Sequence, residues 1–320
     1  MLNRRVLRVR VLQYLYSYYS LIKFSDKPEQ LKPNFIRNLS TSLQEINKYY
    51  YKLLSLPIIL SDINAEKKEI SKSEKIKKSL SRFNFSENVA IDFLRRNKKL
   101  IDNLNRFKID WNAKTPEIRN WYNFVLDNEI TKDYSLLNNP KFKDDFDYLK
   151  KLINKILFKN EDINQFFEID NIHWYDDRII IRSMIKKTIE SLNSSNFNTF
   201  AFANLSEDIK NDIKFAGSLF ESIIDHTSEY DEYITKHSKN WKIDRISLMD
   251  KSILRMGIGE MVNFSNIPIK VTMNECIDIA KNYSTPKSGL FINGVLDVIS
   301  LNLQKKGIIN KSGKGLIDNK

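Results

Sequence analysis

Apolar residues recur at three- and four-residue intervals through most of this chain, and the clearest run lies toward its C-terminus. From Ile243 they return at Ile246, Met249, Ile253, Met256 and Phe264. Leu254, Ile258, Met261 and Val262 fill the same broad side, so the spacing predicts an amphipathic helix with a wide apolar face. Asp250 is a candidate cap for a helix start after a break near Ser247. Gly257 and Gly259 fall inside the helix, where glycine permits close approach of a neighbour at a cost of about 1 kcal/mol each relative to Ala. Pro268 forces a break. Thr272 and Glu275 have capping-box spacing, which predicts a helix starting near Met273, with Met273, Cys276, Ile277 and Ala280 inward and Lys281 in its last turn. Ser284 to Gly289 reads as a loop. Phe291, Ile292, Val295, Leu296, Val298 and Ile299 form one more helical face. Asn293-Gly294 normally signals a hairpin turn, but the flanking pattern is helical, so Gly294 is read as a packing glycine in mid-helix.

Elsewhere the same period dominates. Arg4, Arg5, Arg8 and Arg10 open the chain and precede Val11 to Tyr19, a segment apolar almost all round, as in the centre of a bundle. At about 100° per residue Arg4, Arg5 and Arg8 share one arc, while Arg10 points elsewhere. Residues 35–60 read as a helix ended or kinked at Pro57. Residues 66–82, rich in Lys and Ser, read as a solvated helix or mobile linker. Further helices are predicted over Val89–Leu104, over Trp111–Glu129 with Thr115-Pro116 as cap and first-turn proline, over Phe142–Phe158 after a turn at Asn138-Asn139-Pro140, and over Ser206–Lys236. The fold class is therefore all-α. Only 8 Gly and 7 Pro in 320 residues support long helices over tight-turned β structure.

A formal net charge of +12 favours an anionic partner such as nucleic acid or an acidic surface. Part of that charge belongs to a general bias toward Lys, Asn, Ile and Tyr, of the kind an AT-rich genome imposes. No apolar run approaches the ~20 residues of a membrane span. A single cysteine, Cys276, fits a reducing, cytoplasmic compartment and reads as a small buried packing residue. The basic start followed by apolar residues has a superficial likeness to a signal peptide, but Gln13, Ser17 and several Tyr interrupt it and no small-residue cleavage site follows. A solvated basic helix end and a phosphate-contacting helix end remain as readings.

Candidate chemistry is sparse. Gly257-Ile258-Gly259 lacks a third glycine and a preceding strand, so it is no phosphate loop. His173, His226 and His237 have no metal-ligand spacing, and no serine nucleophile elbow appears. Asp176 and Asp177, which invite a metal or acid–base reading, precede Arg178-Ile179-Ile180-Ile181 and read as N-capping residues. The expectation is a binding protein, not an enzyme, without cofactor or metal.

Asp250 to Arg255 (D-K-S-I-L-R), Glu260, Ile267 to Glu275 (I-P-I-K-V-T-M-N-E), Ala280-Lys281 and Phe291 to Asp297 (F-I-N-G-V-L-D) together resemble the C-terminal half of the NusB family of bacterial transcription antitermination factors. Gln13-Tyr14-Leu15-Tyr16 is similar to the end of that family's arginine-rich first helix. Asn240 to Ile246 and Lys314-Gly315-Leu316 fit its longer bacterial form. The resemblance implies a NusB-like fold of two helical-bundle subdomains, divided here into residues 1–24 (first helix), 25–205 (inserted helical region), 206–305 (core helices) and 306–320 (basic tail). It implies binding of boxA-type ribosomal RNA leader transcripts together with NusE, the small-subunit ribosomal protein that doubles as a Nus factor, within the transcription elongation complex. By resemblance Arg4, Arg5, Arg8, Lys281 and Lys287 supply positive charge to the RNA, and Tyr16 and Phe291 supply aromatic faces, although Tyr16 also reads as an ordinary core tyrosine. Asp250 matches a partner-facing acidic position and reads equally as a helix cap. Leu290 stands where many members carry Lys, which weakens the basic rim. Some relatives self-associate, so a homodimer is a further expectation. A helical interaction scaffold without RNA affinity is the alternative function.

Overall fold

The computed structural model describes residues 2–73, 85–111, 115–192, 201–238 and 245–319. All regular structure among them is helical, as the apolar period predicts. The predicted features at Trp241 and Ile243, residues 240–244 of the family-like stretch, and most of the Lys- and Ser-rich segment lie outside the described residues.

Two compact units emerge. Residues 2–43 and 206–320 form one, and residues 44–205 form the other. The first holds α1 (Arg4–Leu21), α10 (Ile209–Asp225), α11 (Thr227–His237), α12 (Leu248–Asn263), α13 (Ile269–Tyr283) and α14 (Ser288–Lys305). Their apolar faces meet in one core that includes Leu7, Val11, Phe220, Ile253, Ile279, Leu296 and Ile299. Cys276 is buried there, and burial pushes its thiol well above the ordinary range, as expected of an inert packing residue.

Gly257 and Gly259 do what their position predicts. A methyl group at Gly257 would lie 2.9 Å from Leu296 Cδ1 and 3.1 Å from Cys276 Sγ, and one at Gly259 would lie 2.9 Å from Ile223 Cγ1. Both glycines let α12 sit against its neighbours. Gly294 does not: a methyl group there meets nothing within 4 Å, so it is not the packing glycine expected.

The unit of residues 44–205 contains α3 (Val89–Arg96), α4 (Lys98–Arg106), α5 (Pro116–Asp127), α6 (Glu129–Ser135), α7 (Phe142–Lys151), α8 (Glu161–Asp170) and α9 (Trp174–Ser191). The boundary between units falls inside α2 (Pro28–Ser73). Asparagine explains why these helices are short. The side chains of Asn88, Asn97, Asn128 and Asn160 accept the backbone N–H of Ile91, Leu100, Ile130 and Ile163 at 2.8–3.0 Å, each an N-cap. Asn97 and Asn128 each end one helix as they start the next; Asn97 splits the segment expected to be continuous over Val89–Leu104, and Asn128 starts a helix beyond the one expected to end at Glu129.

Other boundaries also differ from expectation, for local reasons. α2 runs through Pro57, because Leu53, Leu54, Leu56, Leu60 and Ile63 stay buried across it and tertiary packing outweighs one lost backbone bond. α9 starts at Trp174, with Asp176 and Asp177 already in its first turn. Asp177 is buried and accepts from Asn171 Nδ2 at 3.1 Å, so it is not the N-cap. The long helix after Ser206 breaks at His226 into α10 and α11, with Asp208 as the true N-cap. After Phe142 the helix widens into a π turn at Leu152–Ile156.

Gly294→Ala is expected to raise stability by up to about 1 kcal/mol through helix propensity alone. Gly257→Ala is expected to lower it, because about 1–3 kcal/mol of overpacking exceeds that gain. Urea unfolding of the two variants checks the order, and a stabilised Gly257→Ala protein is incompatible with the close α12–α14 approach.

Candidate nucleic-acid interface

Arg4, Arg5 and Arg8 share a helix but not a destination. Asn3 caps α1 by accepting the Val6 N–H at 3.0 Å. Arg8 then turns inward. Its Nε and Nη2 donate to Glu260 at 2.7 and 2.9 Å, and Nη1 lies 3.5 Å from Glu275. Side-chain exposure is 3 % for Arg8 and 0 % for Glu260. The Thr272 hydroxyl donates to the same Glu260 carboxylate at 2.6 Å. Burial works against the Arg8 charge, but the hydrogen bonds and charge of Glu260 and the charge of Glu275 more than offset it, so its pKa lies above the ordinary guanidinium value. The Arg8 guanidinium is thus held inside the protein by carboxylates.

Arg5 is half-exposed and reaches across to α13. It donates to Glu275 at 3.0 and 3.1 Å and to Asp278 at 2.8 Å. The Glu275 hydrogen bond is the main cause that raises its pKa. Asp278 also lies 3.4 Å from Lys281 Nζ. Lys281 in turn places its Cγ beside Gly289 in the first turn of α14, where a methyl group would be 3.6 Å from it. Ion pairs thus run from Arg5 on α1 to Asp278 and Lys281 on α13, and Lys281 lies beside the start of α14. The exposed Lys287 occupies the N-cap position of α14, and the half-buried Phe291 packs one turn on, against the core. Arg4 takes another direction and lays its guanidinium 4.0 Å over the Phe215 ring of α10. Tyr16 is exposed, eleven residues beyond Arg5, or about 16 Å at 1.5 Å rise per residue.

Ser247, not Asp250, caps α12 by accepting the Asp250 N–H at 3.0 Å. The Asp250 carboxylate is buried and accepts the hydroxyls of Ser284 at 2.8 Å and Ser288 at 3.1 Å, so it fastens the α13–α14 loop. α13 starts at Ile269 directly after Pro268, four residues before the predicted start. Thr272 and Glu275 are not its capping box: they serve Glu260, Arg5 and Arg8. The roles of Glu260, Glu275 and Asp278 were missed because ion-pair partners 252 to 273 residues away have no local signature. The same holds for Arg255, which donates to Asp231 at 2.7 Å and covers the Tyr19 ring at 4.3 Å.

Comparison with known proteins places this region in context. The model of the NusB family matches residues 176–300, which begin in α9 and exclude α1. Among curated proteins, the transcription antitermination protein NusB of Salinibacter ruber is 50% identical over 103 residues, covering 32% of this chain and 64% of that protein. The protein of the same name from Chloroherpeton thalassium is 42% identical over 115 residues, 35% of this chain and 54% of its own length. That of Dictyoglomus turgidum is 43% identical over 104 residues, 32% of this chain and 70% of its own length. The chain thus spans less than two thirds of the first two relatives.

Arg8→Met is expected to cost about 3–5 kcal/mol by stranding a buried Glu260, while Arg8→Met with Glu260→Leu recovers most of the loss. Urea denaturation of both variants measures this. A loss below about 1 kcal/mol in the single variant would rule out the buried pair.

Proposed function

Since the chain belongs to the NusB family, we propose that it acts in transcription antitermination, binding a boxA-type RNA of ribosomal leader transcripts jointly with the ribosomal protein NusE inside the elongation complex. The observation that carries this most is the run of ion pairs from Arg5 through Asp278 to Lys281, which ties the N-terminal helix to α13 beside the start of α14. That ridge carries Arg5, Lys281 and Lys287 for phosphates, with Phe291 beside it. Tyr16 offers a face for an unpaired base farther along α1. Arg4 keeps a supporting place over Phe215. Arg8 contributes by fixing α1, not by touching RNA. Asp250 serves the surface through the loop it holds.

The work is binding rather than catalysis. Glu275 and Asp278 hold Arg5 and Lys281 in place but also compete with phosphate for them. Among the described residues Lys287 forms no ion pair, so its charge is the more available. Leu290, highly exposed next to Phe291, presents an apolar contact where a cation would strengthen the rim. The competing carboxylates also favour a second reading, a helical interaction scaffold without RNA affinity.

Titrating a boxA-like RNA at several salt concentrations separates the two. Lys281→Ala and Lys287→Ala are each expected to weaken binding and reduce the log–log salt slope by about 1. NusE is expected to tighten binding. If both lysine variants leave affinity and slope unchanged, the scaffold reading stands, and if NusE adds nothing the joint-binding part is wrong.

A further inference from the structure

In the unit of residues 44–205, α7, the π turn after it and α9 enclose an open groove of about 740 Å³. Its walls carry Lys150, Lys151 and Lys155 on one side and Arg182 and Lys186 on the other, with Asp147 the one acidic lining residue. An anion already sits in this setting. Glu190 Oε1 lies 3.9 Å from Lys150 Nζ and 3.9 Å from Lys186 Nζ, so one carboxylate bridges the two walls. Arg182 is held in position by Nη2 donating to the Asn154 carbonyl at 3.4 Å, with its guanidinium 5.7 Å from the Phe158 ring.

The groove continues into apolar surface. Ile179 lines it and is 67 % exposed; Tyr175, one turn earlier on α9, is also 67 % exposed. Ile172 in the preceding turn and Ile169 at the end of α8 are 85 % and 87 % exposed. Large aliphatic side chains left this bare within ten residues of one another mark an interaction surface. Along α9 the exposed side therefore changes from apolar (Tyr175, Ile179) to basic (Arg182, Lys186), at the three- and four-residue steps of one helix face.

We propose that this groove docks an acidic amphipathic helix of a partner protein, its apolar residues on Ile172, Tyr175 and Ile179 and its carboxylates between the basic walls. Charge complementarity selects an acidic ligand, and the bridging Glu190 shows that the walls accept a carboxylate. The aliphatic residues select protein over RNA. Isoleucine has no flat face for a base to stack on, and three of the four exposed apolar side chains here are isoleucine. A helix laid in a groove by apolar anchors at i, i+3, i+4 and i+7 is the matching mode.

The test uses the full chain and three fluorescent probes: a helical peptide of about 18 residues with Leu at that spacing and Glu elsewhere, a scrambled peptide of the same composition, and a single-stranded oligouridine of equal charge. The amphipathic peptide is expected to bind at least about tenfold tighter than the scrambled one. Ile179→Asp is expected to remove about tenfold of that affinity. Lys150→Glu with Arg182→Glu should weaken it and flatten its salt dependence. Oligouridine binding should not respond to Ile179→Asp. Far-UV circular dichroism verifies folding, and Ile172→Asp, in the turn before α9, replaces any variant that fails. Equal binding of the two peptides, or an unchanged peptide affinity in Ile179→Asp, overturns the proposal. So does loss of oligouridine binding in the same variants, which would assign the groove to RNA.

Discussion

Arg8 and Glu260 meet where water does not reach, and the arrangement of α1, α12 and α13 depends on that meeting. Each charge alone would be far too costly to bury. Together, with the Thr272 hydroxyl on the same carboxylate, they are satisfied only if α1, from the far end of the chain, holds one position against α12 and α13. An apolar contact tolerates sliding by a fraction of a turn; a two-point bond between a guanidinium and a carboxylate does not. The pair therefore specifies geometry more than it adds stability.

Outward from this pair, the charged groups pass from buried to exposed. Glu275 is shared between Arg8 and Arg5, Asp278 between Arg5 and Lys281. The surface cations of the candidate interface thus rest on a buried anchor through alternating charges. Such an arrangement pre-positions Arg5 and Lys281 and lowers the entropy lost when a ligand fixes them. It also moderates the local positive potential, because Arg5 and Lys281 each have a carboxylate beside them. The formal charge of +12 is consequently a poor measure of this face.

The unit of residues 44–205 rests on different means. Its asparagines, which composition suggests are a by-product of genomic bias, cap one helix after another. Its buried polar side chains are also paired: Asp145 accepts from the Tyr134 hydroxyl at 2.6 Å and from the Val89 N–H at 2.7 Å. The unit is therefore a structured body with an exposed basic and apolar groove of its own, rather than a passive linker.

The all-α class, the core face of α12 and, apart from the exposed Val298, that of α14, the close-packing role of Gly257 and Gly259 and the burial of Cys276 were legible from spacing alone, because helical period and small-residue placement act locally. The arginine cluster was visible as a cluster, and Lys281, Lys287 and Phe291 as neighbours of one loop. Where each side chain points was not. Arg5 and Arg8 share an arc by periodicity, yet one binds surface carboxylates and the other a buried one, because Glu275 and Glu260 approach from helices more than 250 residues away. Thr272 and Glu275 imitate a capping box, and Asp250 a cap, since the same residue types satisfy backbone and side-chain donors alike. Local sequence fixes which groups must find hydrogen-bonding partners; only the packing of distant helices decides which partners those are.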